Sequence, residues 1–402
     1  MTNKDRKRIF LCLVIVGILA MCPLCSIAAD TVNIGAIFPL SGGGAYYGED
    51  SKRAVALALD TLGGKITVGG KTHEIGMVYY DDGGIPSEAV RGLRKLVTVD
   101  KVHIILGRNG ASQVDAACTV NEQEKVLLLA NSGDTKTTKQ GNQLIVRLQT
   151  VPSMVAGVYA KFLLQRGAKS ICVLYDLTDW GVDWAESFKK KYENAGGKVL
   201  SMVRVNSRRE TDFYPTLTQF KRLNPDAVLI VAWDEPSGLI AKQAREVGYK
   251  GRLCFTEQLR AKGVSVAGMD SVVGSLQGGG SLLGMEPMPV GMKKYVIAFE
   301  KKFPGVPPHG TGMLYHDALL TVCLAMEKSG TVTDPYKIRQ ACNEMIAKIP
   351  VQAYGEYKGI TPGGQGWGYE TVIAEIGKDG KPQKIGGVPI TYELGSEGEQ
   401  KM

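Results

Sequence analysis

Short apolar runs alternate along the chain with segments whose apolar residues recur at helical spacing. Residues 32–38 form a continuous apolar run that stops at Ser41-Gly42-Gly43-Gly44. A helix is expected over 48–62, where Ala54, Leu57, Ala58 and Thr61 share a face. A second strand, 75–80, ends at Asp81-Asp82-Gly83-Gly84, and Pro86 opens a helix to about 99, where its missing N–H costs nothing. Strand 102–106, helix 112–124 and strands 126–130 and 145–148 follow. After Pro152 the alternation restarts with helix 154–166, strand 170–175, helix 182–195, strand 198–205 and helix 213–223. It continues with strand 227–232, helix 238–247 and strand 253–255. Apolar strands between amphipathic helices need cover on both faces, which predicts parallel sheets between helix layers. Two such series predict an α/β protein of two doubly wound parallel-sheet lobes, since one core rarely serves so long a chain. After Gly278-Gly279-Gly280 the pattern changes to three helices, 292–302, 312–328 and 335–347. Two short strands, 353–357 and 369–376, and a polar tail after Pro389 complete the chain.

The N-terminus stands apart. Lys4, Arg6, Lys7 and Arg8, with Asp5, carry +3 of the formal +8, which leaves +5 on the remainder. An apolar run over 9–22 ends at Pro23 and the small residues Ser26, Ala28 and Ala29. That is the pattern of a secretory signal peptide, expected over 1–29, and the run is too short to span a bilayer. No later stretch is apolar enough to cross a membrane, and +5 is too mild for a nucleic-acid partner. Three of the eight cysteines fall in the leader; Met21 and Leu24 precede Cys22 and Cys25, where a lipidated cysteine needs a small residue, so no lipid is expected. The other five, Cys118, Cys172, Cys254, Cys323 and Cys342, are spaced like buried thiols rather than a disulfide framework. Cys323 and Cys342 would pair only if their two helices pack together. The 50 glycines exceed the usual ~7% without any collagen period, and many stand at predicted strand ends.

Catalytic signatures are missing. A dinucleotide loop starting at Gly42 would need glycine where Tyr47 stands, and a phosphate loop ending at Gly70-Lys71-Thr72 would need it where Lys65 stands. There is no nucleophile-elbow or zinc-helix motif. His73, His103, His309 and His316 show no metal-ligand spacing beyond the loose His309/His316 pair and read as surface or locally bonded histidines. Neither metal nor cofactor is implied, and an enzyme is not expected.

Several local patterns, in order, resemble the type I periplasmic solute-binding proteins of ABC importers, in the leucine/isoleucine/valine-binding branch. They are Pro39-Leu40-Ser41-Gly42 with Tyr47-Gly48, Tyr80-Asp81-Asp82 with Pro86, and Gly107 after a buried strand. Thr135, Trp180-Gly181, Pro225-Asp226-Ala227-Val228, Tyr315-His316-Asp317-Ala318 and Ile338-Arg339-Gln340-Ala341 continue the series. The resemblance runs from about 32 to 376. It implies two lobes joined by three crossings near 150, 278 and 355. Lobe one is then 30–150 plus 279–355, and lobe two 151–278 plus 356–402. It also implies a monomeric exported receptor that closes on a small molecule and docks to a membrane permease.

In such a fold the ligand sits at the carboxyl ends of the strands. The loop holding Arg108, Gly110, Ala111 and Ser112 precedes a helix whose free N–H groups suit a carboxylate. The family often has a hydroxyl residue where Gly110 or Ala111 stands, so the task shifts to backbone N–H groups, Ser112 or Arg108. Arg108 is either a two-pronged carboxylate partner or a solvated charge. Gly133, Asp134 and Thr135 match the second loop of the first lobe; Asp134 either receives an ammonium group or caps the next turn. Tyr47, Trp180 and Trp233 match aromatic cleft positions, and Glu257 matches the position that holds an α-ammonium group. The resemblance therefore implies an amino acid with an apolar side chain as ligand. Three alternatives remain open: an organic carboxylate without an amine, a ligand-sensing role, and an exported enzyme that no motif supports.

Overall fold

The computed structural model describes residues 30–138, 141–280 and 282–390. In chain order the first elements are β1 (Thr31–Phe38), α1 (Ala45–Leu62), β2 (Lys65–Val68), β3 (Lys71–Asp81), α2 (Pro86–Thr98) and β4 (Ile104–Asn109). Next come α3 (Ala111–Cys118), β5 (Leu127–Asn131), β6 (Ile145–Arg147), α4 (Pro152–Gln165), β7 (Ser170–Asp176) and α5 (Asp179–Asn194). They are followed by β8 (Lys198–Val205), α6 (Tyr214–Leu223), β9 (Ala227–Val231), α7 (Asp234–Glu246), β10 (Arg252–Thr256), α8 (Ala261–Ala267) and α9 (Met269–Val272). The last are β11 (Leu276–Gly279), α10 (Val290–Lys302), α11 (Gly310–Ser329), α12 (Pro335–Met345), β12 (Gly359–Ile360), β13 (Gly366–Trp367), β14 (Glu370–Ile376) and β15 (Pro382–Pro389).

The strands form two large sheets, one per lobe, and a two-stranded sheet, β12-β13. The first runs β2-β3-β1-β4-β5-β6, parallel except where β2 meets β3. The second runs β15-β14-β11-β10-β9-β7-β8, parallel from β11 to β8 and antiparallel through β14 and β15. β5 and β9 are buried at every position, which is why LLLAN and AVLIV show no alternation. Both sheets reverse strand order beside their first strand, and such a switch point leaves a crevice at the carboxyl ends.

Local departures from the periodicity have physical causes. The helix expected over 112–124 stops at Cys118, because buried Asn121 donates to the carbonyls of Val126 (3.0 Å) and Leu144 (2.9 Å) and holds the rest as turns. β2, β11, β12, β13, β15 and the short helices α8 and α9 are not expected from the periodicity; in β11 two of four residues are glycine. No strand forms over 353–357. There the Asp317 carboxylate accepts the N–H groups of Ala353 and Tyr354, both at 2.9 Å, and Tyr354 and Tyr357 pack against Tyr369. The two-stranded sheet β12-β13 stays with the first core: Arg339 donates to the Ile145 carbonyl (2.9 Å) and the Thr361 carbonyl (3.0 Å), and Tyr357, Ile360 and Trp367 pack on that core. The chain enters the second sheet only at β14, later than the position near 355. α11 and α12 do pack together, yet Cys323 and Cys342 are free thiols, as are Cys118, Cys172 and Cys254, all buried. The leader and the tail from 391 lie outside the described residues.

Candidate functional site

A cavity of about 370 Å³ lies between the carboxyl ends of the two sheets. Loops after β1, β3, β4 and β5 line it from lobe one, and loops after β7, β8, β9 and β10 from lobe two. The Asp81 carboxylate shapes the first of these by accepting the N–H groups of Leu40 (2.8 Å), Ser41 (3.2 Å) and Gly83 (2.9 Å). The Tyr80-Asp81-Asp82 pattern thus organises the loop that leads into Tyr47.

The lobes touch across the cavity. The Ser112 hydroxyl donates to Asp179 Oδ2 at 2.8 Å, from the start of α3 to the start of α5. Gly133 lies against Trp180, so close that a Cβ at 133 would stand 2.6 Å from Trp180 Cδ1. Trp180 is 8% exposed and packs on Trp233 with ring centroids 5.1 Å apart. The Arg208 guanidinium lies over the other ring, 4.6 Å from the Trp233 centroid. Tyr47 packs edge-on against His309, 5.0 Å away, and Tyr46 does the same at 5.6 Å. His309 Nδ1 accepts the Thr311 N–H at 3.0 Å and caps α11, which places the ring hydrogen on Nε2. Burial, and then the charge of Arg260 across the cleft, hold this imidazole well below its usual pKa and keep it neutral. Among the described residues His309 Nε2 and Trp233 Nε1 have no hydrogen-bond partner.

Seven of the residues expected from sequence come together on this cavity: Tyr47, Gly110, Ala111, Ser112, Gly133, Trp180 and Trp233. Two do not line it. The Asp134 carboxylate accepts the Lys136 N–H at 2.8 Å, a capping contact. Glu257 borders a separate space of about 10 Å³ with Thr150, Trp184 and Tyr354, and Trp180 is the wall between the two. Burial pushes the Glu257 carboxyl up, although Gln258 Nε2 donates to it at 3.2 Å. The side chains of Arg108 and Thr135 lie outside the described residues. Sequence reasoning passed over Arg208, Arg260, His309 and Asp179, which all line the cavity. Only their places just after strands or before a helix could have signalled them. His309 and His316 are both locally bonded; His316 Nδ1 meets Asp317 Oδ1 at 2.9 Å.

Beside the cavity, Asp115 on α3 faces Asp134 and Asp179. Burial first, then the Asp134 charge, push the Asp115 carboxyl up to about 6, against a hydrogen bond from Thr137. A carboxyl whose folded pKa lies above its unfolded value costs stability as pH rises. The cost is absent below about pH 4, grows through the interval up to 6 and is complete above it. Asp115→Asn should therefore raise the melting temperature by roughly 1–3 °C at pH 7.5 and leave it unchanged at pH 4. Equal shifts at both pH values in a thermal melt would refute the charge origin.

Residues 31–381 match the model of the periplasmic binding protein family. The leucine-, isoleucine-, valine-, threonine-, and alanine-binding protein of Pseudomonas aeruginosa is 27% identical over 352 residues, 87% of this chain and 91% of that protein. A leucine binding protein from Thermotoga maritima aligns with TM-score 0.76 at 24% identity, covering 89% of this chain and 99% of the other. An ABC transporter solute binding protein from R. palustris, solved with benzoate, aligns at 0.77 with 18% identity, covering 91% and 99%. These are binding proteins, not enzymes. The chain belongs to the periplasmic binding protein family and has its type I fold.

Proposed function

We propose that this chain is the extracytoplasmic solute-binding receptor of an ABC importer and closes its two lobes on a small organic carboxylate. Residues 1–29 direct export, and the closed monomer docks to a membrane permease. Lobe one is 30–150 with 279–367, and lobe two is 151–278 with 368–390. The three crossings run side by side: a Cβ on Gly280 would stand 1.6 Å from Thr150 Oγ1, and Gln365 Nε2 donates to the Gln149 carbonyl at 3.0 Å. Closure is then a hinge motion of two preformed lobes.

The charge of the walls carries the ligand class. Arg208 and Arg260 line the cavity, and among the described residues neither has a carboxylate within ion-pair distance. The one carboxylate on the same wall, Asp179, already accepts the Ser112 hydroxyl. The first turn of α3, at Ala111 and Ser112, offers backbone N–H groups that an acid can accept from. Trp180, Trp233 and Tyr47 supply flat apolar walls for the body of the ligand. A structural neighbour was solved with benzoate, a ligand of this chemistry.

The second reading is an amino acid with an apolar side chain, its ammonium group held by Glu257. It is favoured by the sequence relationship to an amino-acid-binding protein and by the burial that raises the Glu257 carboxyl, which a bound cation would oppose. Mass spectrometry of ligand released from the purified protein separates the two, followed by calorimetry with benzoate and leucine on the wild type and Glu257→Gln. The expected result is a released acid without an amine, and benzoate affinity unchanged by the substitution. Released amino acid, or leucine affinity that collapses in Glu257→Gln, selects the second reading. No released solute and no binding of either probe overturns the receptor assignment for these classes.

A further inference from the structure

The second sheet places its two cavity guanidiniums at opposite ends. Arg208 follows β8 and Arg260 follows β10, and the strand order between them is β8-β7-β9-β10. Three strand spacings are roughly 14 Å at the level of the sheet. Trp180, after β7, and Trp233, after β9, fill the interval as one apolar wall. Arg208 leans inward, with its guanidinium over the Trp233 ring. Arg260 stands at the other end, where its charge acts on His309, Tyr46 and Asp50 of lobe one.

The Arg260 end has an unmet need of its own. His309 is 4% exposed, lines the cavity and carries its hydrogen on an Nε2 that has no partner among the described residues. A donor left unpaired by closure opposes closure unless something supplies an acceptor. The nearby buried carboxyl, Asp50, is occupied with the N–H groups of His309 (3.1 Å) and Gly312 (2.8 Å) and does not line the cavity. The Arg260 backbone N–H donates to Asp234 Oδ1 at 2.8 Å, while among the described residues its guanidinium donates to Gln258 Oε1 alone, at a long 3.4 Å.

We infer that the ligand is a dicarboxylic acid with a flat apolar spacer: one carboxylate is held by Arg208, and the second by Arg260 of lobe two with His309 of lobe one. This deepens the carboxylate reading above and rests on it. A ligand with two acid groups on a flat apolar body matches a cavity lined by two guanidiniums and two indoles. It also bridges the lobes, because Arg260 and His309 approach one another only when the cleft shuts. Arg260 is then the residue that sets specificity for the second acid group.

The test is titration calorimetry with benzoate and benzene-1,4-dicarboxylate, using the mature protein and its Arg260→Gln and Arg260→Lys variants, with melting curves to verify folding. The wild type should bind the dicarboxylate ten- to a hundredfold more tightly than benzoate, the worth of one charge-assisted hydrogen bond. Arg260→Gln should bring that ratio close to one, and Arg260→Lys should restore part of it. Equal affinities for the two acids in the wild type, or a ratio that Arg260→Gln leaves unchanged, overturn the second acid site while the carboxylate reading stands. Binding of neither acid overturns both.

Discussion

Arg147→Met should lower the unfolding free energy by about 3–5 kcal/mol, among the largest losses a single side chain can produce. Arg147 is 1% exposed. Its Nε donates to Gln365 Oε1 at 2.7 Å and its Nη2 to Thr138 Oγ1 at 2.8 Å, while Nη1 donates to the Asp134 carbonyl. Burial lowers the guanidinium pKa to about 10, which still leaves it protonated at neutral pH. Replacing a whole buried ion pair by apolar residues is often harmless, because no charge is left behind. Here methionine keeps most of the volume but leaves three buried acceptors without a donor, each costing about 1–3 kcal/mol. The acceptors belong to three different stretches: the loop beside Gly133, the turn at Thr138 and the returning segment at Gln365. The substitution should therefore also loosen the cavity wall. Urea unfolding measures the first effect, and a loss below about 1 kcal/mol would show that the network is not needed for stability.

Gly133→Ala should separate ligand binding from stability. Glycine 133 has no left-handed backbone, so alanine fits lobe one without strain. The new methyl would stand 2.6 Å from Trp180 Cδ1, nearer than side chains approach. Trp180 belongs to the other lobe and is held by Trp233, so it has little room to yield. The clash exists only when the lobes meet. Benzoate affinity should fall at least tenfold, since closure is what buries the ligand and population of the competent state scales apparent affinity. The melting temperature of the unliganded protein should stay within about 2 °C of wild type. Calorimetry and small-angle scattering with and without benzoate test both halves. Wild-type affinity in Gly133→Ala would mean that the lobes do not meet at this contact when ligand binds.

The fold was largely legible because its strands are buried on both sides. Runs such as Val228-Leu229-Ile230 have no other place to go in a soluble chain, and amphipathic helices at regular intervals then force parallel order. Elements without that signature were lost: β11 is half glycine, and β15 pairs at a sheet edge where polar residues are tolerated. The stretch 353–357 reads as a strand by its tyrosines, but buried Asp317 takes its backbone N–H groups, and this competing partner is distant in sequence. The same holds for Cys323 and Cys342, whose helices pack as expected while the thiols remain separate.

The site was legible in part, and the division follows a physical rule. Sequence by itself determined which loops end strands, and within those loops the family resemblance singled out Tyr47, Gly133, Trp180 and Trp233, with Ser112 at the start of a helix; all five line the cavity. Tertiary structure alone decided the charge of the cavity. Whether a polar side chain faces a ligand or serves its own loop depends on partners that arrive from elsewhere. Asp134 is taken up by the turn at Lys136, Glu257 stands behind Trp180, and Arg208, Arg260 and His309 meet across two lobes from positions scattered over a hundred residues. Apolar burial is repeated along a strand and leaves a pattern in the chain. A single charge facing a cavity leaves none, because its meaning lies in what stands opposite.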